Sequence, residues 1–473
     1  MYSSRRLWWW SRGASNTFAG VQYRAYWVVW LGAILLALLG ADLLALRLHR
    51  SGSYRLDLGF WGDQEVLTGF WEQEWDGTGA SYRWTQASSA LVVRGFAAVS
   101  RASLTLDIGG LPPTAPGSHV VSTEVDGVGW TTLRVMAAPR RYHLLLPPHA
   151  LLDGNLDIQF RSDTSRVPPD PRAVGFRLDD LTLAWLPGSS VSPAWQTLLI
   201  QWAVVLVGMA VAWRLEAPRP VIAGLAAGLV ILLSSMTAYS LFMATTWEKR
   251  LLVAGLLLMM LAWNAVPLLG RLLPGLARNE LRWLAVIVVA ALAVRFLGVC
   301  YPPFGSHDIH IHRGRLHHIR FGSLYLFDTP TEFGNGLTLV PPAFYLLALP
   351  FTVGSADPKG ILEGLYALFD GSSPLLIALF VRQFGGSPRA VLLAAIALAG
   401  LPIQFTAVWW GFGPQIAGQW LLLLLALLVG QESVRARAGL VAAGMLFCLA
   451  LLTHPGVALL GGFWLAGYVV LTW

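Results

Sequence analysis

Apolar runs of about twenty residues recur along this chain and are interrupted once by a long stretch of a different period. The first run extends from about Tyr26 to Leu48, behind Arg5, Arg6, Arg12 and Arg24 and a Trp8-Trp9-Trp10 cluster suited to the headgroup layer. It is too long for a cleaved signal core and no small-residue cleavage site follows it. The pattern therefore predicts an uncleaved signal anchor with its basic end in the cytoplasm. From about Arg50 to Ser190 no run is long enough to span. Alternating segments there predict strands at Tyr54–Phe60, Ala90–Val93, Ser103–Ile108, Val120–Val125, Thr131–Ala137, Tyr142–Leu146, Asn155–Phe160 and Gly175–Leu186. Asp126-Gly127 and Asp153-Gly154 supply tight bends between them. So many short strands predict a two-sheet antiparallel sandwich, a jelly roll.

After Pro193 the long runs resume, near 195–213, 220–243, 250–268 and 282–301, then 361–382, 390–409, 413–430, 437–453 and 456–472. The piece 339–354 opens with Pro341-Pro342 and is short for a span, so it predicts a re-entrant or interfacial helix. With the N-terminus inside, Arg214/Arg219, Arg271/Arg278/Arg282, Arg382/Arg389 and Arg435/Arg437 all fall on the cytoplasmic side. The expected fold is a polytopic α-helical membrane protein of about ten spans with an inserted all-β, jelly-roll-like exoplasmic domain. Its parts are 1–49 (N-terminus and anchor), 50–190 (sandwich), 191–301 (four spans), 302–360 (polar loop and re-entrant piece) and 361–473 (C-terminal spans).

Composition agrees. Of 473 residues, 55% are hydrophobic and only 12% charged, which excludes a disordered chain and a conventional soluble enzyme. The net charge of +7 fits cytoplasmic loop bias rather than a nucleic-acid partner. Just two lysines occur, Lys249 and Lys359, so the positive charge is nearly all Arg. Cys300 and Cys448 lie at or inside apolar runs and define no disulfide frame.

The loop 302–338 carries the candidate chemistry. Five of the ten histidines fall between positions 307 and 318. If a helix starts after Ser306, with Ser306 as its cap, Asp308, His312 and Arg315 share one face. A carboxylate beside His and Arg suits general-base work. The alternative is a solvated loop meeting headgroups. Asp308 with His312 or His310 also presents two metal-ligand types, with Glu332 or His454 able to complete a set. No recognised ligand frame accompanies them, so a divalent ion is one open alternative and no cofactor is assigned.

Gly305-Ser306-His307-Asp308 followed by His312, then Gly322-Ser323-Leu324-Tyr325, Gly334-Asn335-Gly336 and Pro341-Pro342-Ala343-Phe344-Tyr345, resemble the first exoplasmic loop of bacterial GT-C glycosyltransferases. These are the multi-span relatives of protein mannosyltransferases and aminoarabinose transferases. Arg382-Gln383-Phe384-Gly385 is similar to the basic turn after that family's next span. The resemblance covers roughly 282–472. It implies a transferase that moves a sugar from a polyprenyl-phosphate donor to a glycan or protein acceptor, with Asp308 as catalytic base. Arg295, His310, His312, Arg313, Arg315, Tyr345 and His454 are then the substrate-binding candidates, and Arg320, His317 and His318 further phosphate candidates. Gly69-Phe70-Trp71-x-x-Glu74 and Tyr82-Arg83-Trp84-Thr85 are similar to exoplasmic sandwich domains attached to some such proteins. That likeness implies glycan contacts at Trp71, Trp75 and Trp84; the alternative is that these rings fill the sandwich core.

The implied location is the bacterial cytoplasmic membrane, with the sandwich and the Asp308 loop outside, in contact with membrane lipids. Two further classes stay open: a non-catalytic membrane subunit that binds lipid, glycan or another subunit, and a transporter. Among the remaining ionisable residues, Asp42 is expected to cap the anchor or pair with Arg47. Asp370, before Gly371-Ser372-Ser373-Pro374, is expected to mark a kink satisfied by local hydroxyls, and Glu363 to lie near the outer boundary.

Overall fold

The computed structural model describes residues 17–48, 52–95, 97–115, 117–239, 241–324, 326–328, 338–353, 358–431 and 437–472. The Trp8-Trp9-Trp10 cluster, Tyr325, Glu332, Gly334-Asn335-Gly336 and Arg435 lie outside the described residues. The helices are α1 (Thr17–Leu48), α2 (Trp195–Arg214), α3 (Arg219–Tyr239), α4 (Leu241–Leu272), α5 (Arg278–Val299), α6 (Ile309–Arg320), α7 (Ala343–Ala348), α8 (Pro358–Gln383), α9 (Pro388–Gly400), α10 (Pro402–Trp410), α11 (Gly413–Val429), α12 (Arg437–Thr453) and α13 (Pro455–Thr472). Among the described residues, seven apolar stretches are long enough to cross a membrane: Trp30–Leu48, α2, α3, Phe242–Leu272, α5, α8 and the α9–α10 pair. Helices α11 to α13 are apolar but shorter. The chain thus joins a multi-pass helical membrane part to a β domain.

Two helices differ from the sequence pattern. A break was expected between 243 and 250, yet α4 runs through Glu248-Lys249-Arg250 without interruption. Arg250 pairs with Glu65, Lys249 is exposed, and Glu248 is wholly buried with one carboxylate oxygen on Gln201 of α2. Conversely, the expected span 390–409 is divided at Leu401-Pro402, because proline has no N–H to continue the helical ladder.

The strands are β1 (Ser53–Asp57), β2 (Leu67–Phe70), β3 (Glu74–Trp75), β4 (Ser81–Val93), β5 (Ala98–Val99), β6 (Ala102–Gly110), β7 (Ser118–Val125), β8 (Val128–Met136), β9 (Arg140–Leu145), β10 (Leu156–Arg161), β11 (Ser165–Arg166), β12 (Ala173–Val174), β13 (Arg177–Trp185), β14 (Val191–Ser192), β15 (Phe327–Asp328) and β16 (Thr338–Leu339). All the pairings are antiparallel, in the order β8-β7-β10-β4-β13-β6-β9, with β1 added on β13 and β2 and β3 on β4. Strand β4 belongs to both halves. Arg83 and Trp84 pair with β13, whereas Ser88 to Val93 pair with β10. Strict alternation of buried and half-buried residues along β6 turns Leu104, Leu106 and Ile108 inward. They meet Leu181 and Leu183 of β13 and Leu91, Ile158, Phe160 and Val125 of the other half in one core. Each such side chain contributes about 1.5–3 kcal/mol by leaving water.

This domain is held to the helices through side chains and close backbone approaches. The Gly95 carbonyl accepts the hydroxyls of Thr197 (2.6 Å) and Thr245 (3.0 Å) at the start of α2 and α4. Gly62 sits at φ +94°, where a Cβ would come within 2.9 Å of the Pro302 backbone, and a Cβ on Gly305 would strike the Trp61 ring at 2.7 Å. The 59–63 turn therefore presses directly on the loop after α5.

Candidate functional site

The segment after α5 is tethered from three directions before α6 begins. Ser306 N–H donates to Glu363 of α8 at 2.9 Å, and His307 and Asp308 N–H donate to the carbonyls of Trp409 and Trp410 at 2.9 and 3.2 Å. Glu363 is fully buried and paired at 3.1 Å with Lys359, whose ammonium also reaches the Pro302 carbonyl at 3.4 Å. A buried ion pair one helical turn long thus fixes both ends of the loop. Helix α6 then packs Ile309, His312 and Leu316 into an apolar cluster with Phe344, Leu362 and Tyr366. Asp308, not Ser306, occupies the N-cap, because Asp308 C=O already accepts from Ile311 and His312 N–H. Ser306 instead turns its hydroxyl toward Gly411, whose Cβ, were there one, would lie 3.1 Å from it.

Half-buried at the head of α6, the Asp308 carboxylate makes no side-chain cap bond and meets neither donor nor cation at bonding distance among the described residues. Its charge reaches the hydroxyl of Tyr366, which is fully buried and has no hydrogen-bond partner among the described residues. One turn on, His312 is locked. Its Nε2–H donates to the Gly411 carbonyl at 2.8 Å, and Nδ1 accepts from the Tyr345 hydroxyl at 2.7 Å. Arg315 donates to the same Tyr345 oxygen at 3.4 Å. Burial, and the nearby Arg315 charge, push the imidazole down to about 4, so it is neutral near pH 7. With both ring nitrogens engaged, His312 has none left for a metal ion. No grouping of three or more His, Cys, Asp or Glu side chains suited to a metal occurs among the described residues.

The other residues singled out in the sequence are dispersed. His310 is exposed on the outer side of α6, as are His317, His318 and Arg320. Arg313 is half-buried with its guanidinium 5.9 Å from the Trp61 ring, and its Nε has no partner. His454 sits at the α12–α13 junction, where its Nδ1 accepts from Val457 N–H at 3.3 Å. Arg295 is directed elsewhere. It is buried against Asp370, with Nε donating to Oδ2 at 2.6 Å and a second nitrogen donating to the Ala399 carbonyl at 2.8 Å. Asp370 is therefore satisfied by this ion pair rather than by local hydroxyls, since Ser372 and Ser373 bond to the carbonyls of Leu368 and Phe369. Asp42 is likewise no partner of Arg47: the first is fully buried and the second exposed.

The β domain carries a groove of about 830 Å³. Trp75 (59% exposed) and Phe60 (55% exposed) project into it, and Trp61 forms its wall toward the Asp308 loop. Charged walls come from Asp107, held by a two-pronged contact from Arg141, and from Asp180, paired with Arg55. Partial burial raises the Asp179 and Asp180 carboxyls above their ordinary range, against the opposing pull of Arg177 and Arg55. None of the three candidate tryptophans fills the core. Trp71 is half-buried, donating to the Ala173 carbonyl at 3.0 Å beneath the Arg172 guanidinium, and Trp84 is half-buried edge-on to Tyr82. Trp61, Tyr366 and Gly411 did not stand out in the sequence, whereas Lys359 did so only as one of two lysines and Glu363 only as an ionisable residue expected near the outer boundary. The one available signal was the rarity of lysine, with Glu363 one turn after Lys359.

No family model matches the chain, and no curated protein matches it. Among solved structures, CBM35 from Cellvibrio japonicus Abf62 is similar at 14% identity and TM-score 0.20, over 30% of this chain and 97% of that one. The acetyl xylan esterase Est2A from the rumen bacterium Butyrivibrio proteoclasticus is similar at 14% identity and TM-score 0.16, over 30% of each chain.

Proposed function

We propose that the chain is a membrane glycosyltransferase of the GT-C type, moving a sugar from a polyprenyl-phosphate donor to an acceptor hydroxyl with Asp308 as general base. The observation that carries this reading is the unpaired Asp308 carboxylate, held by tethered backbone at the head of α6 while the groups around it are engaged with one another. In the proposed step the acceptor oxygen bonds to the anomeric carbon and gives its proton to Asp308. The bond from that carbon to the phosphate oxygen breaks, and polyprenyl phosphate leaves with the electron pair. In this reading half-buried Arg313 and exposed His310 of α6 meet the phosphate. Arg315, Tyr345 and His312 position α6 rather than contact substrate, and Arg295 is removed from that role by Asp370.

In this reading the β domain, a jelly-roll-like module, receives a glycan acceptor in its groove, with Trp75 and Phe60 as stacking surfaces and the Arg–Asp pairs as hydroxyl partners. The domain and the Asp308 loop occupy the outer face of a bacterial cytoplasmic membrane, and the N-terminus lies inside. Their direct contact through Trp61 and Gly305 supports a common side for both. The rival reading is a non-catalytic subunit that binds lipid, glycan or partner proteins; the mutual engagement of His312 and Tyr345 favours it. Reconstituted protein given a labelled polyprenyl-phosphate sugar and a glycan acceptor separates the two. Asp308→Asn and Asp308→Ala are expected to keep the wild-type melting temperature and to lose transfer by roughly 10²-fold or more. Wild-type rates in either variant overturn the assignment.

A further inference from the structure

Four helices bring polar side chains to one level beneath the β domain. Asp42 of α1, Gln201 of α2, Ser234 and Thr237 of α3 and Glu248 of α4 are each at most 2% exposed. Gln201 Nε2 spends its two hydrogens on Thr237 Oγ1 (2.9 Å) and Glu248 Oε1 (2.8 Å), and Thr237 donates onward to the Leu233 carbonyl at 3.1 Å. That arrangement leaves the Gln201 carbonyl oxygen buried without a donor among the described residues. Asp42 lies against Ser234 and Gln201, and its charge acts on Glu248. Among the described residues, five buried oxygens have no partner at hydrogen-bond geometry: both of Asp42, Oε2 of Glu248, Oε1 of Gln201 and Oγ of Ser234.

Among the described residues no cation answers them. Lys249 and Arg47 are exposed, and Arg250 reaches away to Glu65. Two buried carboxylates with no cationic partner among the described residues are costly to hold ionised. The uncompensated atoms are all oxygens, from carboxylates, an amide and a hydroxyl, with no imidazole or thiolate among them. Such a set suits a hard cation, and its two formal negative charges match a divalent one. We infer that Asp42, Gln201, Ser234 and Glu248 form an intramembrane site for a hard divalent cation, Ca²⁺ by ligand type, that ties α1 to α2, α3 and α4. The site is closed toward the β domain. The Gly95 carbonyl takes the Thr197 and Thr245 hydroxyls about one turn before Gln201 and Glu248, and at φ +68° a Cβ there would meet both within 2.6 Å. The ion is therefore a structural clamp, independent of the transferase reading.

Full-length protein in nanodiscs, stripped with chelator and returned to Ca²⁺, Mg²⁺ or Na⁺ separately, tests this by bound-metal analysis and melting temperature. The expected result is about one Ca²⁺ per chain and a raised melting temperature, with Ca²⁺ affinity at least roughly tenfold weaker in Asp42→Asn and Glu248→Gln. Ser234→Ala removes one ligand oxygen with little change in packing and is expected to weaken binding while the protein still folds. Asp308→Asn is expected to bind Ca²⁺ as wild type does, so failure of the catalytic assignment leaves this one intact. Three outcomes overturn it: no metal retained with chelator-insensitive melting, unchanged affinity in Ser234→Ala together with either acidic variant, or stabilisation by Na⁺ alone.

Discussion

Arg295 of α5 and Asp370 of α8 form a buried ion pair at 2.6 Å, with the guanidinium stacked 4.0 Å from the Phe405 ring of α10. One side chain thereby joins three helices behind the Asp308 loop. Arg295→Met strands the Asp370 carboxylate and is expected to cost about 3 kcal/mol, whereas Arg295→Met with Asp370→Leu is expected to recover most of it. Thermal unfolding in nanodiscs of the two single variants and the double variant measures this. A double variant no better than the worse single one would count against the pair.

Gly413, at the start of α11, lies so close to Tyr366 that a Cβ would sit 1.7 Å from its ring. Gly413→Ala is expected to destabilise by at least about 1–3 kcal/mol through overpacking. Tyr366→Leu in the same chain should relieve it and Tyr366→Phe should not, because the ring and not the hydroxyl blocks the space. Melting temperatures of the three proteins decide.

His312 supplies a pH dependence. Its folded-state value of about 4 lies below the ordinary 6.5, so the unfolded chain binds the proton first as pH falls. Stability from this group is complete above 6.5 and is lost progressively toward 4, by about 3 kcal/mol in all. His312→Gln, which cannot titrate, is expected to flatten the melting-temperature profile across that window.

Asp63 is buried, accepting two bonds from Arg83 (2.6 and 2.7 Å) and one from Gly59 N–H (2.7 Å). Asp63→Asn weakens this hold on a buried guanidinium and is expected to cost about 3 kcal/mol. It also frees the turn that carries Trp61. In the transferase reading, activity at permissive temperature falls more steeply than folded fraction does.

Trp75 contributes mostly exposed surface to the groove. In the transferase reading, Trp75→Ala is expected to leave melting unchanged and to weaken glycan-acceptor binding by about 1–3 kcal/mol of lost stacking and burial. Calorimetric titration with oligosaccharides reads it, and unaltered affinity would remove the groove from the acceptor path.

Much of this architecture is visible in apolar period. Each of the eight expected segments coincides with a strand, from β1 to β13. Less visible is β4, because Gln86 to Ser89 interrupt its apolar alternation where it passes from one half of the β domain to the other. The Asp308 loop was legible from clustered histidines, but its supports were not. Lys359, Glu363, Tyr366 and Gly411 are distant in sequence, and their roles arise from contacts that periodicity does not encode. The same holds for Arg295 and Asp370, each conspicuous alone and explained only by the other.

Trp61 has one face on the groove and the other against Gly305, with Gly62 abutting Pro302. Neither Gly62 nor Gly305 has room for a side chain in that seam. A saccharide seated beside Trp75 would therefore stand at a constant reach from Asp308. In the transferase reading, the span between the two would act as a ruler, admitting acceptors whose length bridges it and passing over shorter ones.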